Sequence, residues 1–170
     1  MDFLTLSKER YSCRLMSDRQ VEQEKIEKIL EAARLAPTAV DKQPFHIWYT
    51  EDEAVIAKIR ETTHFTFSAP LFFIIGAKKE EAWTRKYDQR NFADVDAAIV
   101  ATHMMMEIQD LGLSTTWVGH FDAPKLMELF PQCAGYDLIA MFPTGYADEK
   151  AEPAGKHFER KEISELAEKL

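Results

Sequence analysis

The segment from Phe92 to Leu111 is apolar on nearly every side, and this feature most constrains the fold. Its sequence is FADVDAAIVATHMMMEIQDL, and Gly112, a common helix terminator, follows directly. A helix that is hydrophobic all round is not stable on a solvent-exposed surface. We therefore expect a central helix that is buried in the core or against a second subunit. The run of three methionines is more simply packing than a cofactor feature.

Helices and strands alternate along the rest of the chain. The spacing of apolar residues predicts helices at 2–9, 21–35, 52–62 and 92–111, a short helix from Asp122 and another in the tail; strands are predicted at 45–50, 71–77, 114–120 and 137–147. Ser17 or Asp18 is the expected cap of the second helix, and Pro37 marks its end. No repeat or linker divides the sequence. The chain, residues 1–170, is therefore predicted to form one domain of α and β elements around a single sheet.

Composition excludes several classes of protein. The chain is 46% hydrophobic and 29% charged, as in globular proteins, and no apolar run approaches the roughly 20 residues that span a bilayer. Its net charge of -8 disfavours binding to nucleic acid or to an anionic membrane. Cys13 and Cys133 have neither CxxC nor metal-ligand spacing, which fits a reducing cytoplasm.

Basic side chains are concentrated in two distant parts of this acidic chain. The first basic group consists of Lys8, Arg10, Arg14 and Arg19, and the second of Lys150, Lys156, His157, Arg160 and Lys161. If residues 10–14 are extended, Arg10, Ser12 and Arg14 fall on one side. Two guanidinium groups and a hydroxyl can hold a terminal phosphate monoester, although a solvated basic surface is the alternative. The two groups suggest one bound anion.

Two further segments carry residues that suit a planar polar ligand. In the loop APTAVDKQPF, residues 36–45, the side chains of Thr38, Asp41 and Gln43 can hydrogen-bond a ligand, and an ordinary turn is the alternative. In LGLSTTWVGHF, residues 111–121, Trp117 offers a flat wall and Gly119 permits close backbone approach. Core packing is an equally good explanation of the tryptophan.

Other kinds of site are disfavoured. The five histidines are scattered, none in an HExxH or similar pair: His46, His64, His103, His120 and His157. The sequence also contains neither GxGxxG nor a P-loop, which argues against a Rossmann nucleotide site or an NTPase. No metal site is expected.

Taken in order, these segments resemble the nitroreductase family along nearly the whole chain. Arg10, Ser12 and Arg14 look like the family's N-terminal phosphate-binding motif. Ala36-Pro37-Thr38 with Gln43-Pro44-Phe45 is similar to its Ala-Pro-Ser...Gln-Pro-Trp loop, which lines the flavin. Residues 94–119 resemble its dimer helix and the strand against the isoalloxazine, and Phe142–Tyr146 with the basic tail resembles its closing strand and second set of phosphate contacts.

The resemblance implies an α+β fold with a central mixed, mostly antiparallel sheet flanked by helices and a long central dimerisation helix. It implies a homodimer with FMN at the interface, in which the flavin carries the chemistry and no side chain is catalytic. The residues expected to bind FMN are Arg10, Ser12, Arg14, Pro37, Thr38, Asp41, Gln43, Trp117, Val118, Gly119, and Arg160 or Lys161.

Three positions depart from the family pattern. Asp41 stands where asparagine is common, and its ionised side chain would repel a reduced, anionic flavin. Thr38 replaces serine and keeps the hydroxyl, while Phe45 replaces tryptophan. The chain also contains no obvious lid over a substrate pocket.

The activity that the resemblance implies is ping-pong hydride transfer from NADH or NADPH, through FMN, to a small acceptor such as a nitroaromatic or a quinone. Backbone donors near Gly119 and the side chain of Gln43 would stabilise charge on the reduced ring. The alternatives are a non-catalytic flavin-binding or sensor protein on the same scaffold, and a relative that fragments flavin or dehalogenates its substrate.

Overall fold

The computed structural model describes residues 2–170, which form six helices, four strands and three short 3-10 turns. The helices are α1 (Phe3–Glu9), α2 (Gln23–Leu35), α3 (Glu53–Arg60), α4 (Ala93–Asp110), α5 (Ala123–Leu129) and α6 (Ile163–Leu166). The strands are β1 (Phe45–Thr50), β2 (Leu71–Ala77), β3 (Ser114–Thr115) and β4 (Asp137–Gly145). None of the helices in these residues combines the length and the hydropathy that a bilayer crossing requires.

The four strands form one sheet in the order β1-β2-β4-β3, and each of these pairings is antiparallel. A parallel bridge between Ser12 and Thr115 adds the N-terminal segment beside β3. Every residue of β2 is buried, because helices cover both faces of this central strand. The predicted α+β class and the mixed, mostly antiparallel sheet are therefore confirmed.

The long helix α4 forms the core of one face of the sheet. Its inner side, including Ala97, Val100 and Met104, is fully buried with residues of α2 and β2. A second apolar cluster on the other face joins α3 and α5 to the sheet. The predicted central helix is confirmed, with an end one residue inside each expected boundary.

The outward side of α4 is covered incompletely by its own chain. Val95, Ile99 and Met106 are only partly buried on this side, and Thr102 and His103 between them are exposed. The N-terminal helix α1 covers part of this side but leaves Phe3 and Leu4 exposed. We call this surface, formed by α4 with α1, the outer apolar face.

Two sequence predictions about element boundaries are wrong. Helix α2 begins at Gln23, so neither Ser17 nor Asp18 caps it, and Glu22 at its start makes no capping side-chain bond. The reason is that Ser17 donates both its N–H (2.9 Å) and its hydroxyl (3.4 Å) to the carbonyl of Tyr146, which holds this residue at the end of the sheet, six positions before the helix begins.

The predicted strand at 114–120 is much shorter than expected. Only Ser114–Thr115 pairs as a strand, and Val118 then forms a single bridge with Met141. Between them, the Thr116 hydroxyl donates to the carbonyl of Cys13 instead of following the strand pattern. The irregular backbone from Thr116 onward lines a recess described below.

The hydroxyl of Tyr146 joins the end of the sheet to the start of α2. It donates to a carboxylate oxygen of Glu22 (2.6 Å) and accepts from Nζ of Lys25 (2.9 Å), while Arg19 stacks 3.8 Å above the ring. The hydrogen bonds that the Glu22 carboxylate accepts from Tyr146, from its own backbone N–H and from Arg19, in that order, lower its pKa to about 2 from 4.5. Ionised Glu22 therefore favours the folded state.

Replacing Tyr146 by phenylalanine should remove part of the acid sensitivity of folding. The pKa of Glu22 is depressed in the folded state, so its stabilisation is present above pH 4.5 and is lost as the pH falls toward about 2. Urea midpoints measured from about pH 6 down to about pH 3 should fall less steeply for Tyr146→Phe than for the wild type. Tyr49→Phe is the matched control; equal pH dependence in all three proteins would contradict the role of Glu22.

Candidate functional site

One surface pocket brings together residues from both ends of the chain. It is lined by Arg10, Ser12, Arg14, Ala154, Lys156, His157 and Arg160. The two basic groups that lie about 140 positions apart in the sequence thus meet in space. We call this the basic pocket. Lys161, the other tail residue expected here, is not among its lining residues, and Arg19 lies instead over Tyr146.

The N-terminal side of the pocket is held in place by the sheet. Ser12 bridges to Thr115, and the N–H of Cys13 donates to the carbonyl of Thr115 (3.1 Å). Because this segment is extended, Arg10, Ser12 and Arg14 line the same pocket, as the alternating pattern predicts.

The C-terminal side of the pocket is a 3-10 turn at Gly155–Phe158. The imidazole of His157 packs edge-on against the ring of Tyr11, with 6.3 Å between the ring centroids. The guanidinium of Arg160 donates to the carbonyls of Lys156 (3.3 Å) and Glu159 (2.8 Å), which fixes its direction. The tail therefore reaches the N-terminal motif through a ring contact and a local turn.

The electrostatics of the basic pocket favour an anion. Burial and then the nearby positive charge of Arg160 lower the pKa of Arg10 below its ordinary value. No carboxylate is found among the described residues that line the pocket. Mutually repelling cations held together in this way are stabilised by a bound anion, and a phosphate monoester matches the donors present.

A second recess adjoins the basic pocket. It is lined by Arg14, Phe65, Phe67, Thr116, Trp117, Val118, Gly119 and His120, and Arg14 also lines the basic pocket. Three of the predicted ring-contacting residues, Trp117, Val118 and Gly119, therefore lie next to the predicted phosphate-binding residues. We call this the aromatic recess.

Sequence reasoning missed the aromatic walls of this recess. Phe65 is 6.1 Å from Phe67 and 5.7 Å from His120, measured between ring centroids. The Thr63 hydroxyl donates to the carbonyl of His120 (2.8 Å), which holds the two wall segments together. The sequence offered only a weak signal, namely two phenylalanines at alternate positions shortly before a strand.

The loop at 36–45 lies far from the basic pocket of the same chain. It leads into β1, one edge strand, at Phe45, which is level with Asp137 of β4. Ser12 lies beyond β3, the opposite edge, level with Thr144. Seven residues along the sheet and four strand spacings across it, counted to the Ser12 segment beyond β3, separate these corners by roughly 30 Å. One small ligand cannot contact both within a single chain.

The loop at 36–45 has a strained backbone. Val40, Asp41 and Gln43 all have positive φ, between 47° and 59°, although none is glycine. Each such residue costs on the order of 1 kcal/mol. The loop is closed by the N–H of Gln43, which donates to the Thr38 hydroxyl (2.9 Å). A strained backbone that is retained at this energetic cost indicates that the loop has a function besides connecting α2 to β1.

The predicted ligand-contacting residues of the loop differ in exposure. Thr38 is buried, whereas Pro37 and Asp41 are exposed. The side-chain amide of Gln43 is exposed and donates to the carbonyl of Arg34 (3.2 Å), at the end of α2. Asp41 thus presents its carboxylate to solvent in this structure.

The fold and the basic pocket define an α+β protein with an anion-binding pocket beside an aromatic recess. The model of the nitroreductase family matches residues 7–67 and 61–146. The chain belongs to the nitroreductase family, and this membership supports an oxidoreductase activity.

Individual relatives agree with this family. A protein of Archaeoglobus fulgidus, provisionally named NADH dehydrogenase/NAD(P)H nitroreductase, is 30% identical over 131 residues, which cover 74% of this chain and 72% of that protein. A crystal structure of a nitroreductase family protein from Clostridium difficile 630 superposes with a TM-score of 0.91 at 34% identity and covers 99% and 98% of the two chains. An FMN-dependent nitroreductase from C. difficile R20291 has a TM-score of 0.76 at 26% identity and covers 89% and 91%.

Inorganic phosphate should stabilise the folded protein through the basic pocket. A ligand that binds only the folded state raises its stability in proportion to the logarithm of its concentration above Kd. We expect millimolar phosphate to raise the Tm of the wild type and to raise that of Arg10→Ala much less, in thermal melts at constant ionic strength. Lys150→Ala removes the same charge from the tail outside the pocket and should respond like the wild type; equal shifts in all three would argue against the pocket.

Proposed function

We propose that this protein is an FMN-dependent oxidoreductase that moves hydride from NADH or NADPH to a small acceptor, such as a nitroaromatic or a quinone, in a ping-pong cycle. The observation that carries the proposal is the basic pocket beside the aromatic recess. This arrangement has cationic donors for a terminal phosphate at one end and a flat, partly apolar space at the other. FMN has a matching phosphate and ring.

The residues of the basic pocket would bind and orient the phosphate. Arg10 and Arg14 offer charge-assisted bonds, Ser12 adds a neutral donor, and Arg160 supports them from the tail. In the recess, Trp117 gives a flat wall and the backbone at Val118 and Gly119 allows close approach. Bound FMN would supply the hydride-transfer chemistry, so no side chain needs to act as an acid or base.

A homodimer would complete the site. The loop at 36–45 lies at the opposite corner of the sheet from the basic pocket of its own chain, but a second copy could supply it. The outer apolar face gives a surface for such a copy, since it leaves Ile99 half-buried and Phe3 68% exposed. Phe158 in the tail is also exposed and suited to contact a partner. Gln43 and Thr38 of the partner's loop would then bind the ring.

Asp41 is an acceptor that would disfavour a reduced, anionic ring if it lay close to it. Its exposure in this structure leaves room for the carboxylate to remain in water.

We further propose a cytoplasmic protein that binds neither nucleic acid nor membrane, in keeping with its net charge of -8.

The visible absorption spectrum of the purified protein and steady-state oxidation of NADH or NADPH test the proposed function together. Flavin absorbance with turnover of a quinone or nitroaromatic supports the enzyme. Tight binding of FMN without turnover would support a flavin-binding sensor instead. A protein that stays colourless and does not quench the fluorescence of added FMN would exclude both.

Replacing Arg10 and Arg14 by alanine should weaken FMN binding by several kcal/mol, because each hydrogen bond to a charged group contributes about 1.5–3 kcal/mol. Quenching of flavin fluorescence gives the Kd of the wild type and the double variant. The matched control is Lys8→Ala with Lys150→Ala, which removes two basic residues outside the pocket lining. Unchanged affinity in Arg10→Ala/Arg14→Ala would show that the phosphate binds elsewhere.

The substitution Ile99→Asp should break the homodimer and release FMN together. A carboxylate on the outer apolar face cannot be buried against a second copy without a large desolvation cost. Light scattering after size exclusion gives the mass, and the absorbance ratio of flavin to protein gives the occupancy. Ala54→Asp on α3, which lies on the opposite face of the sheet, should leave both unchanged. A dimeric, fully loaded Ile99→Asp would rule out this interface.

A further inference from the structure

The carboxylate of Asp96 is buried beneath the strained loop. Asp96 lies in the first turn of α4 and is 1% exposed. Its Oδ1 atom accepts the N–H of Ala39 (2.8 Å), whereas Oδ2 is sealed from solvent and has no hydrogen-bond partner among the described residues. Buried carboxylates are rare and costly, so a retained one calls for a physical reason.

The bond from Ala39 falls where the loop most needs support. Ala39 directly precedes Val40 and Asp41, two of the three residues with positive φ. The hydrogen bond from the N–H of Gln43 to the Thr38 hydroxyl joins two residues of the loop itself, so it does not attach the loop to the core. The side chain of Gln43 reaches only the end of α2. Among these loop bonds, the one to Asp96 ties the loop to the central helix.

We propose that Asp96 is a positioning residue, which holds the 38–43 loop in its strained shape through the hydrogen bond that it accepts from Ala39. This proposal rests on the proposed function, in which that loop binds the flavin ring of the partner. Asp96 does not touch the cofactor in this arrangement. It acts through the backbone and sets where Thr38 and Gln43 stand when the second copy docks.

If Asp96 positions the loop through Oδ1, residue 96 must carry a side-chain oxygen that can accept the hydrogen bond from Ala39. Asparagine keeps an oxygen acceptor of the same size and removes the unpaired buried charge. Alanine removes the acceptor altogether. If the hydrogen bond carries the role, Asp96→Asn should resemble the wild type and Asp96→Ala should not.

Amide hydrogen exchange measures the anchor directly and without cofactor. In the apo protein, exchange at the N–H of Ala39 should be at least tenfold faster in Asp96→Ala than in the wild type and should return to within threefold in Asp96→Asn. Asp94→Ala is the matched control, because it removes a carboxylate from the first turn of the same helix and leaves the loop bond in place. It should leave exchange at Ala39 unchanged.

The same variants are then examined with FMN. We expect Asp96→Ala to raise the Kd for FMN and the KM for the acceptor at least tenfold, and Asp96→Asn to restore both. If Asp96→Ala fails to fold, Ala39→Pro removes the donor from the other side of the same bond and should give the same losses. Thr38 already has the extended backbone that a following proline requires.

Three outcomes would overturn the proposal. The first is unchanged exchange at Ala39 in folded Asp96→Ala. The second is faster exchange with unchanged Kd and KM, which would make the bond merely structural. The third is an Asp96→Asn as impaired as Asp96→Ala. Failure of the wild type to bind FMN would refute the proposed function and the role of Asp96 in it, while the exchange measurement would still report whether the anchor exists.

Discussion

The packing of α4 is the constraint on which the rest of the structure depends. A helix with apolar residues on nearly all sides needs cover in every direction, and the sheet with α2 provides it on the inner side only. Helix α1 covers part of the outward side, and the outer apolar face that remains is open to a partner. The same helix separates the loop at 36–45, near its start, from the basic pocket, which lies beyond its end. In the proposed homodimer, one second copy would both cover this face and supply the loop that completes the site.

Much of the fold could be predicted from periodicity, because burial decides it. The apolar run of β2 and the all-round apolar α4 were recognisable as core elements from residue type alone. The start of α2 was not, since Ser17 is a good cap by type but bonds instead to Tyr146, 129 residues away. The strand after α4 failed for a similar reason, as Thr116 bonds to Cys13. Long-range hydrogen bonds override local preference, and no local pattern reveals them.

In the candidate site, too, the features set by local sequence could be predicted and those set by long-range contacts could not. Arg10, Ser12 and Arg14 alternate along the sequence, and this local pattern predicted that they lie on one side of an extended segment. That Arg160 lines the same pocket depends on the path of the tail, which no local pattern gives. The aromatic walls and Asp96 were not foreseen. In the sequence, Asp96 is one polar residue on an apolar helix. Its role is indicated only by its burial and by its hydrogen bond to the loop above it. Residues that act through tertiary contacts leave no pattern of their own.

The basic pocket also links ligand binding to the order of the chain ends. Its two sides come from an N-terminal segment bridged to β3 and a tail attached by the contact of His157 with Tyr11. Burial and then the charge of Arg160 lower the pKa of Arg10, and without an anion the repulsion between these two guanidinium groups opposes the approach of Arg160. When an anion is bound, both guanidinium groups are attracted to it, and this attraction offsets their mutual repulsion. The anion therefore stabilises the docked tail by the same free energy by which the docked tail strengthens anion binding. The tail carries exposed apolar residues, Phe158 and Ile163 among them, that need cover. A phosphate in the pocket would therefore also fix the surface that the tail offers to a partner.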